Sequence, residues 1–457
     1  MPKQVALTIA RVLETGGFHR LSLPDRVMID GYNLALPRGT GVSTYGFSLA
    51  QAIGDMGIGV EGLYGLKAPF NRRLREIGFF EALGAEHQTK SPKKFSFRGV
   101  RELSLLVRPK LAREIPVDGD VIVRQFSHRL PRFTRLLTSP DLFDQANRHF
   151  RRFGLFLPVH VPDPPEIMHW TYPVPVRLVG AKNIYTMHDL VPLRLPYASL
   201  DVKRHYFKLM RACMRRADHI CTVSEASKAD LLRYFPAHAG KITNTYQAVR
   251  LSEASLQTTD EEVEASVRSI FNLPYKGYFM FFGAIEPKKN VGRLLEAYLS
   301  MATKTPLVIV GTRAWGSDVE LRLLQKDEVQ PLKATFRNIR RIDYLPRALL
   351  MRLVRGAKAV AFPSLYEGFG LPALEAMMVG TPVLTSNTSS LPEVVGDAAL
   401  TVDPYDTRAI AGALTALEQD GDLRNRLSEN GREQASRYNM DKYQDRLAAM
   451  YGKVLGK

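Results

Sequence analysis

The feature that most limits how this chain can fold is an alternation, repeated in two series. In the first series, RVMIDGYN from residue 26, VEGLYG, EIMHWT, KNIYTMHD, HICTVSE and KITNTYQAV read as buried strands. Helical stretches such as KRHYFKLMRACMRRA and SKADLLRYF separate several of them. From Thr44 to Met56, the residues Tyr45, Leu49, Ala52, Ile53 and Met56 recur at helical spacing. Apolar strands alternating with helices are the units of a parallel sheet covered on both faces. Residues 250–274 break the rhythm with the polar, acidic LSEASLQTTDEEVEAS, which predicts the inter-domain connection there. A second series then runs YFMFFGAI, PLVIVG, RNIRRIDYL, KAVAFPS, TPVLTSN and AALTVDP. Asn290 is expected to cap the first helix of that series, whose one face carries Val291, Leu294, Leu295, Tyr298 and Leu299. With 457 residues, too many for one ordinary core, the expected class is α/β with two doubly wound domains.

Ligands of such sheets bind outside the carboxyl ends of the strands. The loops to read are therefore PRGTG, MHDL, VSEAS, EPKKN, GTRAWG and EGFGLP. EGFGLP follows the strand AVAFPS and precedes a helix, with Pro372 suited to its first turn. The N–H groups of Gly368, Phe369, Gly370 and Leu371 would emerge at a helix N-terminus, a ready anion site. Glu375, read as lying in the first helical turn, would be repelled by a phosphate and suits neutral hydroxyls, as on a ribose. Glu367 stands on the other side of the loop, where sugar hydroxyls would meet it. Two acids thus frame a ligand whose middle is a phosphate. In EPKKN, two lysines at a strand end offer point charges to a diphosphate. PRGTG could present backbone N–H groups from the opposite side of a cleft; it is neither a P-loop nor GxGxxG. TMHDL puts His188 at a strand end.

The net charge is +17, which predicts an anionic partner. Residues 67–160 hold 19 Lys/Arg against 9 Asp/Glu, an excess of 10 in about a fifth of the chain. Residues 98–114 and 129–156 mix Arg with Leu and Phe, which reads as an interfacial membrane face. No nucleic-acid module accompanies the charge, so no nucleic-acid partner is expected. No apolar run approaches the roughly 18 residues of a spanning helix, and the N-terminus does not read as a signal peptide. Cys213 and Cys221 are expected to be reduced, buried thiols in a reducing compartment. Asp118-Gly119-Asp120 spells DxD but is read as a turn; no metal site is expected.

Several of these loops together resemble the glycosyltransferase family 4 signature. FFGAIEPKKN, LVIVGTRAWGSD, RIDYLP, FPSLYEGFGLPALEAMMVGTPVLTSN and SSLPEVVGDAALTVDP stand in the family's order, and TMHDLVPL and TVSEASKADL resemble its first-domain motifs. The likeness covers almost all of residues 26–450. It implies a GT-B fold, two Rossmann-like domains facing across a cleft. Residues 1–250 would form the acceptor-binding domain, with the basic insertion at about 67–160. Residues 251–435 would bind the nucleotide sugar, and 436–457 would return to the first domain. It also implies retaining transfer from a nucleotide diphosphate sugar, with no cofactor and no required metal. By resemblance, Glu367 contacts the donor sugar, Glu375 the ribose and Lys289 the diphosphate. Lys288 stands where an arginine is common, and His188 sits near the reacting sugar. Gly41, Tyr344 and Leu345 join the donor site, and Ser224 belongs to the acceptor side. Ala284 stands where some members carry an arginine, leaving more diphosphate charge to Lys289 and backbone N–H groups.

The expected function is sugar transfer to a lipid-linked or polysaccharide acceptor, with GDP-mannose the favoured donor. The expected location is cytoplasmic, peripheral on the inner membrane. The rival on the same fold is an epimerase, a glucan synthase or a phosphorylase, although no motif marks a pyridoxal phosphate lysine. The rival of another class is a basic nucleic-acid-binding protein with an inactive fold.

Overall fold

The computed structural model describes residues 23–36, 39–85, 110–117, 121–123, 126, 130–251, 257–325 and 338–456. Residues 118–120, 98–109 and 252–256, which enter the DxD, membrane-face and linker readings, lie outside these.

In chain order the first part contributes strands β1 (Arg26–Asp30), β2 (Gly59–Tyr64), β3 (Lys110–Leu111), β4 (Arg113–Ile115), β5 (Arg135–Thr138), β6 (Leu157–His160), β7 (Ile167–Trp170), β8 (Val176–Leu178), β9 (Lys182–Met187), β10 (His219–Thr222) and β11 (Ile242–Asn244). Eight of them form one sheet in the order β11-β10-β9-β7-β1-β2-β5-β4, parallel except for the β4–β5 pair. Strands β3, β6 and β8 form a small parallel sheet. The second part contributes β12 (Phe279–Phe282), β13 (Leu307–Val310), β14 (Ile339–Ile342), β15 (Ala359–Phe362), β16 (Val383–Ser386) and β17 (Leu400–Val402). These make a parallel sheet, β14-β13-β12-β15-β16-β17. Four of its strands, FMFF, LVIV, AVAF and VLTS, are buried along their whole length, as strands covered on both faces must be. The edge strand IRRI carries two arginines, which discourage pairing with another chain.

Each sheet has one place where its winding reverses. In the first it lies between β1 and β7, and in the second between β12 and β15. The crevices outside these strand ends are where ligands of open α/β sheets collect. PRGTG and Thr171-Tyr172 flank the first crevice, and EPKKN and EGFG the second.

Three local expectations give way. The acidic stretch read as linker contains the helix Asp260–Phe271, closed by a Thr259/Glu262 capping box. Its Val263 and Val267 are buried one turn apart, and its acids sit in the first turn, where the helix dipole favours them. Asn290 occupies the N-cap position in a left-handed conformation but makes no capping bond. Its Nδ2 donates instead to the carbonyls of Pro363 and Pro404, each at 2.8 Å, tying two strand-end loops to EPKKN. Most apolar side chains of 130–156 face inward, with Leu155 the exposed exception. Leu136 and Leu137 lie in β5, and Leu142, Phe143, Ala146 and Phe150 of the helix Leu142–Phe153 are buried. Its Arg151 and Arg152 lie in the last turn, where cations suit the dipole.

The last helix, Met440–Leu455, packs on the helix Gly41–Asp55 of the first part. Tyr451 meets Nδ1 of buried His169 at 2.9 Å. Both cysteines are buried and free.

Candidate functional site

After β15 the chain turns through Pro363–Gly370 and starts the helix Leu371–Met378. Gly370 takes φ 108°, a left-handed turn that glycine adopts readily. The loop is held by two serines of the next connection. Ser389 Oγ accepts Glu367 N–H at 2.9 Å, and Ser390 Oγ bonds the carbonyls of Glu367 (2.9 Å) and Phe369 (2.8 Å). Among the described residues, no acceptor takes the N–H of Gly368, Phe369, Gly370 or Leu371. Those donors remain for an anion at the helix start. The Phe369 side chain itself is buried against Tyr246 and Tyr438, so only its backbone can serve a ligand.

Both acids are buried and both are paired. Glu367 Oε1 lies 2.6 Å from Lys289 Nζ. Burial pushes the Glu367 carboxyl up, but Lys289 and Lys288 beside it hold it below the usual carboxylate range. Glu375 Oε1 lies 2.7 Å from an Arg347 guanidinium nitrogen. Glu375 is the helix's fifth residue, one step beyond the first turn, and is 4% exposed. Arg347 was not singled out from sequence. It opens the helix Arg347–Gly356, and a cation at a helix N-terminus is disfavoured, which is the signal that could have found it. Tyr344, 72% exposed, and half-buried Leu345 precede it on the same loop after β14.

Lys288 lies inside the cleft. Burial disfavours its charge, yet Asp189, Glu286 and Glu367 together hold its pKa above the ordinary lysine value. Its Nζ is 3.5 Å from Glu286. The neighbouring Asp189 belongs to the first part of the chain, so this lysine stands between the two sheets. Across from it, His188 Nε2 donates to the Thr171 carbonyl at 2.8 Å, which leaves Nδ1 unprotonated in the neutral ring. Burial lowers the His188 pKa, keeping it neutral. The Tyr45 ring meets His188 edge-on at 4.8 Å.

The two halves meet around these groups. A Cβ on Gly368 would lie 2.4 Å from the His188 carbonyl oxygen, so only glycine permits this approach. Ser227 Oγ donates to His188 O (2.8 Å) and Gly368 O (3.2 Å). A Cβ on Gly41 would meet Leu371 at 3.9 Å, bringing the first loop to the second helix start. Glu393 accepts the Glu225 and Ala226 N–H groups, each at 3.0 Å, at the start of the helix Glu225–Tyr234. Ser224 does not reach the cleft. It is fully buried and its hydroxyl caps that same helix through Ser227 N. Glu393, Ser389 and Ser390 all lie in the motif SSLPEVVGDAALTVDP, in which the sequence alone gives these three residues no site role.

Among the described residues, no group of three His, Cys, Asp or Glu side chains is placed to hold a metal ion. No helix there is long and apolar enough to cross a membrane.

Residues 267–434 match the family profile of glycosyl transferases group 1, and residues 40–253 that of Glycosyltransferase Family 4. O-antigen chain mannosyltransferase B of Escherichia coli is 35% identical over 274 residues, covering 59% of this chain and 69% of that protein. Serotype-specific mannosyltransferase WbdA of Escherichia coli is 29% identical over 249 residues, or 53% of this chain; the match spans only 30% of that longer protein. The crystal structure of Anabaena HepE in complex with UDP-glucose superposes with a TM-score of 0.60 at 12% identity, covering 93% of this chain and 98% of that one.

Proposed function

From a chain that belongs to glycosyltransferase family 4 and has the GT-B fold, we propose retaining transfer of a hexose from a nucleotide diphosphate donor to a glycan acceptor. That the chain is a glycosyltransferase follows from the family; donor, acceptor and stereochemistry are our reading. The observation that carries it is the helix start at Leu371, with unpaired N–H groups and a carboxylate on each side. A diphosphate suits those donors and Lys289, which would exchange part of its bond to Glu367 for phosphate oxygen. Glu375, oriented by Arg347, suits ribose hydroxyls, and Tyr344 and Leu345 border the base. Glu367 suits hydroxyls of the donor sugar. Lys288 of the second domain and, across from it, the loop carrying Gly41 of the first close the pocket.

In the reaction, the bond from the anomeric carbon to the diphosphate oxygen breaks as the acceptor oxygen approaches the same face. The acceptor proton passes to the departing phosphate oxygen. Preorganised N–H groups and lysine charge stabilise the leaving diphosphate as its charge develops. His188, neutral and fixed through Thr171, lies across the cleft from these groups and suits the reacting sugar.

GDP-mannose is the favoured donor and a lipid-linked or polysaccharide chain the favoured acceptor, in keeping with the mannosyltransferase relatives. We also propose that the enzyme rests on an anionic membrane surface, on the cytoplasmic side, through the edge around the helix Arg72–Gly84. There Phe70 (80% exposed), Leu74, Ile77 and Leu111 stand out of the protein beside Arg72, Arg73 and Arg113. The test of the function is transfer from GDP-mannose to extracted lipid-linked glycans, with the new anomeric configuration read by NMR. A product of retained α configuration is expected; an inverted product, or sugar-nucleotide conversion without acceptor, overturns the reading.

A further inference from the structure

One hydrogen bond, from Nε2 to the Thr171 carbonyl, holds the edge of the His188 ring. Alone it would let the ring turn about that bond. Tyr45 closes off that motion. The two rings meet at 90° with centroids 4.8 Å apart. Tyr45 is buried in the helix Gly41–Asp55, which starts at the loop bordering the donor pocket. Its hydroxyl lies 3.0 Å from Thr186 Oγ1 and 3.5 Å from His169 Nε2.

Thr186 and His188 are two residues apart at the end of β9, so their side chains share one face of the sheet. His169 of β7 reaches the same face: its register partner is Ile184, two residues before Thr186. Its Nε2 lies 2.9 Å from Thr186 Oγ1, and its Nδ1 meets the Tyr451 hydroxyl at 2.9 Å. Burial pulls the His169 pKa down to about 3, so the ring is neutral, with one nitrogen donating and the other accepting. Thr186, His169 and Tyr451 are all fully buried. Tyr451 belongs to the last helix. The helix before it, Gly421–Ser436, packs on Leu371–Met378, whose start is the donor site. A buried polar chain thus runs from the returning helix of the second domain to the ring that braces His188.

We propose that Tyr45 is a positioning residue for sugar transfer: it sets the plane of the His188 ring, and the buried chain Thr186–His169–Tyr451 holds Tyr45 in turn. An apolar core here would pack at less cost, since each buried polar group needs a partner. What the polar chain adds is direction. Its hydrogen bonds fix where the Tyr45 hydroxyl points, and a ring held at its tip cannot drift away from the imidazole. Misplacing a group at the reacting centre by about 1 Å costs about a hundredfold in rate, so this bracing acts on kcat rather than on donor affinity. Tyr45 acts through His188. Its role rests on the transferase reading, in which His188 faces the reacting sugar.

The test uses the full chain and two readouts. One is steady-state kinetics with GDP-mannose and extracted lipid-linked glycans. The other is long-range proton–nitrogen NMR of the histidine rings, in which the signals missing from His188→Gln identify His188. In wild type they should show Nε2 protonated. Tyr45→Leu, which removes the ring, should lower kcat about a hundredfold and shift or broaden the His188 signals. Tyr45→Phe, which keeps the ring, and Tyr451→Phe should each lower kcat about three- to tenfold and move those signals in the same direction. Donor KM should stay within about twofold in all three variants. If Tyr45→Leu fails to fold, Tyr45→Phe, which keeps the volume, carries the test. A purely structural role would lower Tm and leave kcat and the His188 signals as in wild type; that result overturns the proposal. An effect at Tyr45 with none at Tyr451 overturns its reach to the last helix. A wild type that binds no nucleotide sugar overturns the transferase reading instead, and the spectra, which need no turnover, still decide the bracing of His188.

Discussion

Replacing Glu367 by glutamine removes one partner of a buried ion pair while keeping its shape. The Lys289 and Glu367 side chains are only 13% and 10% exposed, and their polar atoms are 2.6 Å apart. The lone ammonium left behind would have Lys288 nearby and no carboxylate of its own. Losing one partner of a fully buried pair costs about 3–5 kcal/mol; the residual exposure here brings the expectation to about 2–3 kcal/mol. At about 2–4 °C per kcal/mol for a domain of this size, the second domain should melt about 4–12 °C lower. A diphosphate supplies the missing anion, so GDP should raise the Tm of Glu367→Gln more than that of wild type. Turnover should fall in the same variant. The pH dependence has a fixed sign. Because the folded carboxyl titrates below its unfolded value, the stabilisation is present above the unfolded pKa and lost as pH falls through the folded one. The gap between wild type and variant should therefore be full at neutral pH and close in acid. Differential scanning fluorimetry with and without GDP across pH reads all of this. An unchanged Tm, or equal GDP shifts in both proteins, would refute the claim that this pair is poised to hand Lys289 to phosphate.

Arg347→Ala should raise the donor KM about tenfold with little effect on kcat, since it frees Glu375 from its orienting partner; steady-state kinetics with varied donor reads the split. Gly368→Ala should abolish transfer while leaving each domain folded, because the added Cβ must displace the His188 carbonyl; circular dichroism and activity together check it. Glu393→Gln should loosen the two domains by weakening the bonds at Glu225 and Ala226, seen as a larger radius of gyration by small-angle scattering. Asp30 is raised by burial to about 6 despite bonds from Thr171 and Tyr32. Its contribution to stability is full below its unfolded pKa and is lost as pH rises through about 6, so Asp30→Asn should flatten the Tm profile between about pH 4 and 6.

The two sheets were legible because strands buried on both faces are nearly continuous apolar runs, as in FMFF and LVIV. The GT-B fold and the glycosyltransferase class followed from the strand-end motifs. The small strands of the basic insertion, such as Lys110–Leu111 and Leu157–His160, were not legible; they are too short to show a period. Glu367 and Lys289 stand in direct contact though 78 residues apart, a pairing that only the sheet's winding creates. Arg347, Glu393 and Asp30 were missed because each reaches a segment distant in sequence: Arg347 bonds Glu375, Glu393 the N–H groups of Glu225 and Ala226, and Asp30 the N–H of Thr171. Asn290 was read by residue type at a helix start, and Ser224 by resemblance alone. Ser224 does cap, and that leaves it no role in the cleft, whereas Asn290 holds two loops in place of capping.

The central claim is that a nucleotide sugar lies across the helix start at Leu371 with its ribose on Glu375. Isothermal titration of GDP-mannose, GDP-fucose, UDP-glucose and UDP-N-acetylglucosamine into wild type and Glu375→Ala tests it directly. The account predicts that GDP-mannose binds wild type best and that Glu375→Ala weakens it at least tenfold. Binding that is the same in both proteins, or a wild type that binds none of the four, would contradict it.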